Sequence, residues 1–276
     1  MMMRASLIVP LDASEQALAA VPVARRLAQL QDGTLHFVHC APESELADVL
    51  KKVGLSADEM RGSIMDAQAG EPAAGILRTA RDSRAALIVM TMQRGSPAGE
   101  RPLGTTALAV LESAPCPIVL VRPDRGITPW ALHRVLLPHD GTPTTSSAIP
   151  PAAKVAATAG AELEVLHVAA PGSRPPEEHG SLTPPRYLDQ PQHEWPAWAE
   201  EFLGRLGGAC ELGSLKVHIS LGTGEPGEEV IRSAAEHASD LIVLAWRGAW
   251  DGERAATVKA VLRGAPCPVM IVRSKE

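Results

Sequence analysis

"APCPIVLVR" at residues 114–122 and "APCPVMIVR" at residues 265–273 are almost the same segment written twice, 151 positions apart. Each sets a cysteine between two prolines and follows it with an unbroken aliphatic run. A short run of that kind suits a parallel strand buried on both faces. Two such endings in one chain raise the question of whether everything before them is duplicated as well.

It is. Working towards the amino terminus, "ALIVM" at 86–90 matches "DLIVL" at 240–244, and "GEP" at 70–72 matches "GEP" at 224–226, both at an offset of 154. "FVHCAP" at 37–42 matches "VLHVAA" at 165–170, Pro22 matches Pro150, and "LIVPLDAS" at 7–14 matches "VLLPHDGT" at 135–142, all at an offset of 128. Six matches in the same order are an internal repeat. The chain reads as two domains, residues 1–124 and 132–276, joined through "RPDRGITPWALH" at 122–133.

The changing offset locates the differences between the copies. The second gains 26 residues between His167 and Gly224. They fall in the proline-dense stretch at about 171–196, which reads as an extended excursion and not as an added core element. Tyr187, Trp195 and Trp198 give this stretch apolar anchors, and docking on the second domain is expected. Three residues are lost between Leu241 and Ala265.

Within each copy, strands alternate with helices. "SLIVPL" or "RVLLPH" opens as a strand. An Ala/Leu-rich helix follows, with Ser14 or Thr144 as candidate N-caps. Pro22 and Pro150 suit a first helical turn, a kink being the alternative. "TLHFVHC" or "ELEVLHV" is the next strand, and a variable segment leads to "GEP", whose Pro72 or Pro226 suits a helix start. The class is α/β with parallel sheets and right-handed crossovers.

Composition narrows the function. The chain of 276 residues is long enough for two cores, its 45% apolar content is that of a globular protein, and its formal charge is −6. An acidic chain is a poor match for nucleic acid, which calls for a basic face. No apolar run reaches membrane-spanning length and the start lacks signal-peptide character, so a cytoplasmic protein with no membrane partner is expected. The four cysteines form no C-x-x-C pair and read as small buried residues. The nine histidines show no H-x-x-x-H or H-E-x-x-H pair, which argues against a metal site built from them. Neither a Gly-x-Ser-x-Gly elbow nor a Walker A sequence occurs.

The combined order of motifs resembles the universal stress protein family, over both halves and nearly the whole chain. These motifs are a first strand ending in Asp12 or Asp140, a second strand ending near His39 or His167, Gly-Glu-Pro before a helix, "LIVM" before a glycine loop, and the closing "APCPIVLVR". The resemblance implies two tandem repeats of a five-stranded parallel α/β sandwich, like the adenine nucleotide alpha hydrolase folds. It also implies their pairing by pseudo-two-fold symmetry as an intrachain pseudo-dimer, with a homodimer as a further option.

The nucleotide-binding branch of that family carries Gly-x2-Gly-x9-Gly-(Ser/Thr). In "TMQRGSPAGERPLGTT" at 91–106, the closing pair is Gly104-Thr105. The second glycine then falls on Arg94 and the first on Thr91, with Gly95 one place late. The loop has the right length and ending but lacks the first two glycines. A glycine beside a phosphate permits close approach and positive φ, and the helix start beyond it aims N–H donors at an anion. Thr105 and Thr106 add hydroxyls, and Arg94 a cation. By resemblance, Asp12 contacts the ribose or adenine edge, the backbone of Cys40 meets the adenine, and Pro10 and Met90 line the pocket. ATP or a related adenine nucleotide, with Mg²⁺ accompanying it, is the implied ligand. The implied role is stress-response regulation with little or no turnover and no catalytic residue. The alternative is a scaffold of the same fold that acts through protein contacts without a nucleotide.

The second half reads "AWRGAWDGERAAT" at 245–257, with a loop three residues shorter and Ala255-Ala256 in place of Gly-Thr. Nucleotide binding there is expected to be much weaker. Trp246 and Trp250 are expected to fill the vacated pocket or to face the proline-rich insertion.

Overall fold

The computed structural model describes residues 5–12, 14, 16–39, 63–67, 70–92, 103–123, 129–169, 178–182, 195–209, 213, 215–247, 250 and 255–274. The chain divides into two compact units, Met1–Ala131 and Leu132–Glu276.

The first unit contains β1 (Ser6–Leu11), α1 (Ala20–Leu30), β2 (Thr34–His39), β3 (Ile64–Ala67), α2 (Pro72–Asp82), β4 (Leu87–Thr91), α3 (Thr105–Ser113) and β5 (Ile118–Val121). Its strands pair in parallel in the order β3-β2-β1-β4-β5. β1 is central, between β2 and β4, and its sequence is apolar on both faces, as is that of β5. Leu7, Ile8, Val9, Val119, Leu120 and Val121 are all fully buried. α1 offers a single stripe, with Ala20, Val23, Ala24, Leu27 and Ala28 buried at the three- and four-residue spacing of a helix face. Pro22 falls in its first turn, where a missing N–H leaves no bond unmade. In α2, Pro72 is the first residue and Glu71 the cap, its carboxylate accepting from the Ala73 and Ala74 N–H groups at 3.2 and 2.8 Å. Gly-Glu-Pro is therefore a helix start, with a cap and a pre-set φ side by side.

The second unit contains β6 (Arg134–Pro138), α4 (Pro143–Ser146), α5 (Ile149–Ala159), β7 (Glu162–Ala169), α6 (Trp195–Ala209), β8 (Val217–Thr223), α7 (Pro226–Glu236), β9 (Leu241–Trp246), α8 (Ala255–Gly264) and β10 (Val269–Arg273). Its parallel order is β8-β7-β6-β9-β10, the counterpart of the first unit strand for strand. Pro150 lies in the first turn of α5, as expected. That helix ends on Gly160 at φ 64°, while Ala161 returns its N–H to the Ala156 carbonyl at 2.9 Å.

Three expectations are corrected. Thr144 is not the helix cap. It lies inside α4, and Thr142 caps that turn by accepting the Thr145 N–H on its hydroxyl at 3.2 Å. The sequence of threonines offers several hydroxyls, and only the backbone path selects one. The insertion is not wholly an extended excursion, because α6 begins at Trp195 and buries Trp198, Phe202 and Leu206. Pro196 is tolerated there because it stands in the first turn. The variable segments before Gly-Glu-Pro also contain β3 and β8. Their half-exposed faces, with Ile64 at 49% exposure, gave no continuous apolar run to read.

Candidate functional site

Each sheet changes winding direction at one place. After β1 the chain adds β2 on one side and later β4 on the other, and β6, β7 and β9 repeat this in the second unit. Such a switch point leaves a crevice beyond the carboxyl ends of the two strands. Asp12 stands there, one residue past β1. Its Oδ1 accepts both the N–H and the hydroxyl of Ser14, at 3.0 and 2.5 Å. Ser14 Oγ in turn accepts the Ala17 N–H at 3.1 Å, starting the helical turn that leads into α1. Asp140 repeats the device: its Oδ1 accepts the Thr142 N–H at 2.9 Å and the Thr145 hydroxyl at 2.7 Å. In both cases these bonds fall on Oδ1.

A second repeated contact was not foreseen. His39 Nδ1 donates to the Leu11 carbonyl at 2.8 Å, and His167 Nδ1 donates to the His139 carbonyl at 2.9 Å. Each histidine thus fixes the last residue before the strand-end aspartate. The shared 128-residue offset of the two histidines was the signal that could have found it.

In the first unit, a cavity of about 240 Å³ opens at the switch point. Of the residues singled out from the sequence, it brings together Pro10, Asp12, Met90, Thr91, Gly104 and Thr106. Leu11, Ala17, Val38, Pro72, Ile76 and Ala107 complete the lining. These were missed because they read as plain core or helix residues. Thr105 opens α3 on the exposed side and does not line the cavity. Cys40, Arg94 and Gly95 lie outside the described residues. Gly104 caps α3 with φ −70° and ψ 166°, so the left-handed conformation expected of it is not used. What glycine supplies at this position is the missing side chain beside a helix start. Among the described residues of this lining, Asp12 is the one ionisable side chain.

The second unit has an equivalent cavity of about 190 Å³. Pro138, Asp140, Leu166, Pro226, Val230, Leu244, Ala245 and Thr257 stand where Pro10, Asp12, Val38, Pro72, Ile76, Met90, Thr91 and Thr106 stand in the first. Trp246 replaces Met92 and lines the space without closing it. Trp250 meets Trp246 edge-on at 6.1 Å and lies under the Lys259 ammonium.

The insertion docks beside this cavity. Glu178 takes the Thr144 N–H at 2.9 Å and its hydroxyl at 2.8 Å, and the Leu182 N–H bonds the Gly141 carbonyl at 2.8 Å. Behind them, α6 lays its aromatic face on two buried histidines. Phe202 lies 4.7 Å from His139, Trp198 lies 4.4 Å from His167, and Trp195 stacks on Trp198 at 5.1 Å. Tyr187 lies outside the described residues.

Electrostatics rank these groups. Burial pushes the His139 imidazole down to about 4; Asp140 opposes this, while His167 and Arg205 add to it. His167 is lowered by burial too, against the pull of the His139 carbonyl and Asp140. Partial desolvation works to raise the Asp140 carboxyl, but the Thr142 and Thr145 hydrogen bonds outweigh it and hold the group below its ordinary value. His139 Nδ1 accepts the Gly141 N–H at 2.9 Å, so Nε2 carries the proton and donates to Ser146 Oγ at 3.1 Å. A ring tied in that way is no base for Ser146. Burial raises the Cys116 thiol to about 12, which makes it inert, in keeping with a packing role. Cys267 is also a free cysteine and is buried.

Among the described residues, no group of three His, Cys, Asp or Glu side chains could hold a metal ion. No helix among them is long and apolar enough to cross a membrane.

Each unit is thus a doubly wound α/β domain with a ligand-sized cavity at its switch point. The model of the universal stress protein family matches residues 3–122 and again 131–273, and the chain belongs to that family as a two-domain member. A universal stress protein from Archaeoglobus fulgidus DSM 4304 is similar over 97% of this chain and 98% of its own, at 19% identity and a TM-score of 0.67. A putative universal stress protein from Pseudomonas aeruginosa UCBPP-PA14 matches over 97% and 92%, at 18% identity and a TM-score of 0.68. No curated protein sequence matches the chain.

Proposed function

We propose that the first unit binds an adenine nucleotide and that the protein acts in the stress response as a regulator governed by that occupancy. The carrying observation is the single cavity that gathers Asp12, the apolar walls Val38, Ile76 and Met90, and the helix start at Gly104 and Thr106. A base fits against the apolar walls. The second carboxylate oxygen of Asp12 accepts from ribose hydroxyls or from an exocyclic amine. The phosphates then fall at the start of α3, where unpaired N–H groups and the helix dipole favour an anion. Mg²⁺ enters with the phosphates. Among the described residues of the lining the one ionisable group, Asp12, is already tied to Ser14, which suits binding with little turnover. Calorimetric titration of the full chain with MgATP tests this. About one nucleotide per chain, lost in Gly104→Val and Asp12→Asn, is the expected result. Unchanged affinity in both variants would overturn it, and no binding at all would favour a protein-contact scaffold.

A further inference from the structure

The two repeats also differ at the opposite end of their sheets, away from the switch points. At the amino ends of β6, β7, β8 and β9, an open cavity of about 720 Å³ gathers His133, Arg134, Glu162, Lys216, His237 and Asp240. It shares no lining residue with either switch-point cavity. The first unit is a built-in comparison. Ala5, Ser6, Thr34, Ser83 and Ala86 stand there where His133, Arg134, Glu162, His237 and Asp240 stand in the second. The backbone agrees: Ser6 pairs with Thr34 as Arg134 pairs with Glu162, and the Ala86 N–H bonds the Ser6 carbonyl as the Asp240 N–H bonds that of Arg134. Five uncharged positions of one copy are ionisable in the other, so the fold does not require these groups.

His237, just past the end of α7, joins this cavity to a buried cluster. Glu164 on β7, Ser220 on β8, Ser233 on α7 and His237 answer to His36, Asp66, Thr79 and Ser83 of the first unit. Both copies thus set a histidine against a carboxylate beneath the helix, with the places exchanged. In the first unit the histidine is the inner partner: His36 is buried, and Asp66 lies 3.8 Å from it. In the second the carboxylate is the inner partner. Glu164 is buried, accepts the Ser220 hydroxyl at 3.1 Å and takes the His237 Nδ1–H at 2.6 Å. The His237 side chain is 43% exposed. A carboxylate only accepts, so the ring proton sits on Nδ1, and Nε2 keeps its lone pair on the open side of the ring. A nucleophile oriented by a buried partner is the arrangement of covalent catalysis. Two cations stand beside it. Arg134 donates to the His237 carbonyl and to Glu162 Oε2, and the exposed Lys216 ammonium is held only loosely, 3.7 Å from Glu162 Oε1. Asp240 Oδ2 is occupied by the backbone N–H groups of His133 and Arg134, at 2.7 and 3.0 Å. These cations favour an electrophile that is itself an anion. We propose that His237 is a phosphoryl acceptor, whose Nε2 takes the phosphoryl group of a small acyl phosphate. The Nε2 lone pair forms the N–P bond. The P–O bond to the acyl oxygen breaks, and its electron pair leaves with the carboxylate, which needs no proton. The Nδ1 proton stays in place, and the positive charge gained by the ring faces Glu164.

The test treats the full chain with acetyl phosphate and locates the product by mass spectrometry. A single phosphoryl group on His237, labile in acid and stable in alkali, is the expected result. His36, the buried member of the exchanged pair, should stay unmodified. His237→Gln should abolish the product. Glu164→Gln still accepts the Nδ1–H but removes the charge, and should slow the transfer about tenfold or more. Circular dichroism melting shows whether Glu164→Gln folds. If it does not, the unaltered chain treated with diethyl pyrocarbonate decides in its place. His237 should then be carbethoxylated faster than His218, whose side chain is the more exposed at 62%. Exposure alone predicts the reverse order, so the lead of His237 reports the pairing with Glu164. Absence of a product, a product on another residue, an undiminished rate in folded Glu164→Gln, or His218 reacting first would overturn the proposal.

Discussion

His167 donates its Nδ1–H to the carbonyl oxygen of His139 at 2.9 Å, which ties the end of β7 to the end of β6. The bond requires a donor nitrogen on His167 and places both rings under the aromatic face of α6, where His139 and His167 are buried. That burial has a pH consequence.

Both imidazoles have folded-state pKa values below 6.5, His139 at about 4. Below pH 6.5 the unfolded chain therefore binds more protons than the folded one. Stability is fully present above 6.5 and is lost as pH falls towards 4, by an amount on the order of 3 kcal/mol for His139. Asp140, held below its ordinary value, adds loss at still lower pH. Urea unfolding at pH 7.5 and 4.5 measures this. The difference should shrink in His139→Leu, which restores the residue found at the equivalent Leu11. An undiminished difference would assign the acid sensitivity to other groups.

Gly104→Val should weaken nucleotide binding at least about a hundredfold, since it forfeits two or more charge-assisted bonds of ~1.5–3 kcal/mol each. The corresponding Ala255→Val should change total ATP binding little. Calorimetry on the two variants decides, and two equivalent nucleotide sites per chain would refute the asymmetry.

Trp198→Ala should destabilise the second unit by about 3–5 kcal/mol. Trp198 is 3% exposed and lies against His139, His167, Trp195 and Phe202. The readout is the denaturant midpoint. A change under about 1 kcal/mol would mean that α6 is only loosely applied.

Glycines of α6 and α7 should respond in opposite directions. Gly204 and Gly208 have open space where a Cβ would stand, and Ala at each should stabilise by about 0.5–1 kcal/mol through helix propensity. At Gly227 a Cβ would meet the Ala260 side chain at 2.5 Å, so Gly227→Val should cost about 1–3 kcal/mol by forcing α7 away from α8. Thermal melts of the three variants check the sign of each.

The duplicated strands, the alternation with helices and the strand-end aspartates were legible in the sequence because each is local. An aliphatic run specifies a buried strand, and a proline after Gly-Glu specifies a helix start, whatever lies elsewhere in the chain. Six of the ten residues singled out for the first site also meet in one cavity, because the ends of adjacent parallel strands must converge at a switch point. Other features depended on the path of the chain. Thr142 caps in place of Thr144 because the turn begins at Pro143 and encloses Thr144, whose N–H and hydroxyl go to Glu178, 34 residues away. Trp198 and Phe202 find His139 and His167 only when α6 returns across the ends of β6 and β7. No periodicity records such contacts: sequence patterns fix which face of an element is apolar, whereas the partner that covers it is set by closure of the chain around the core.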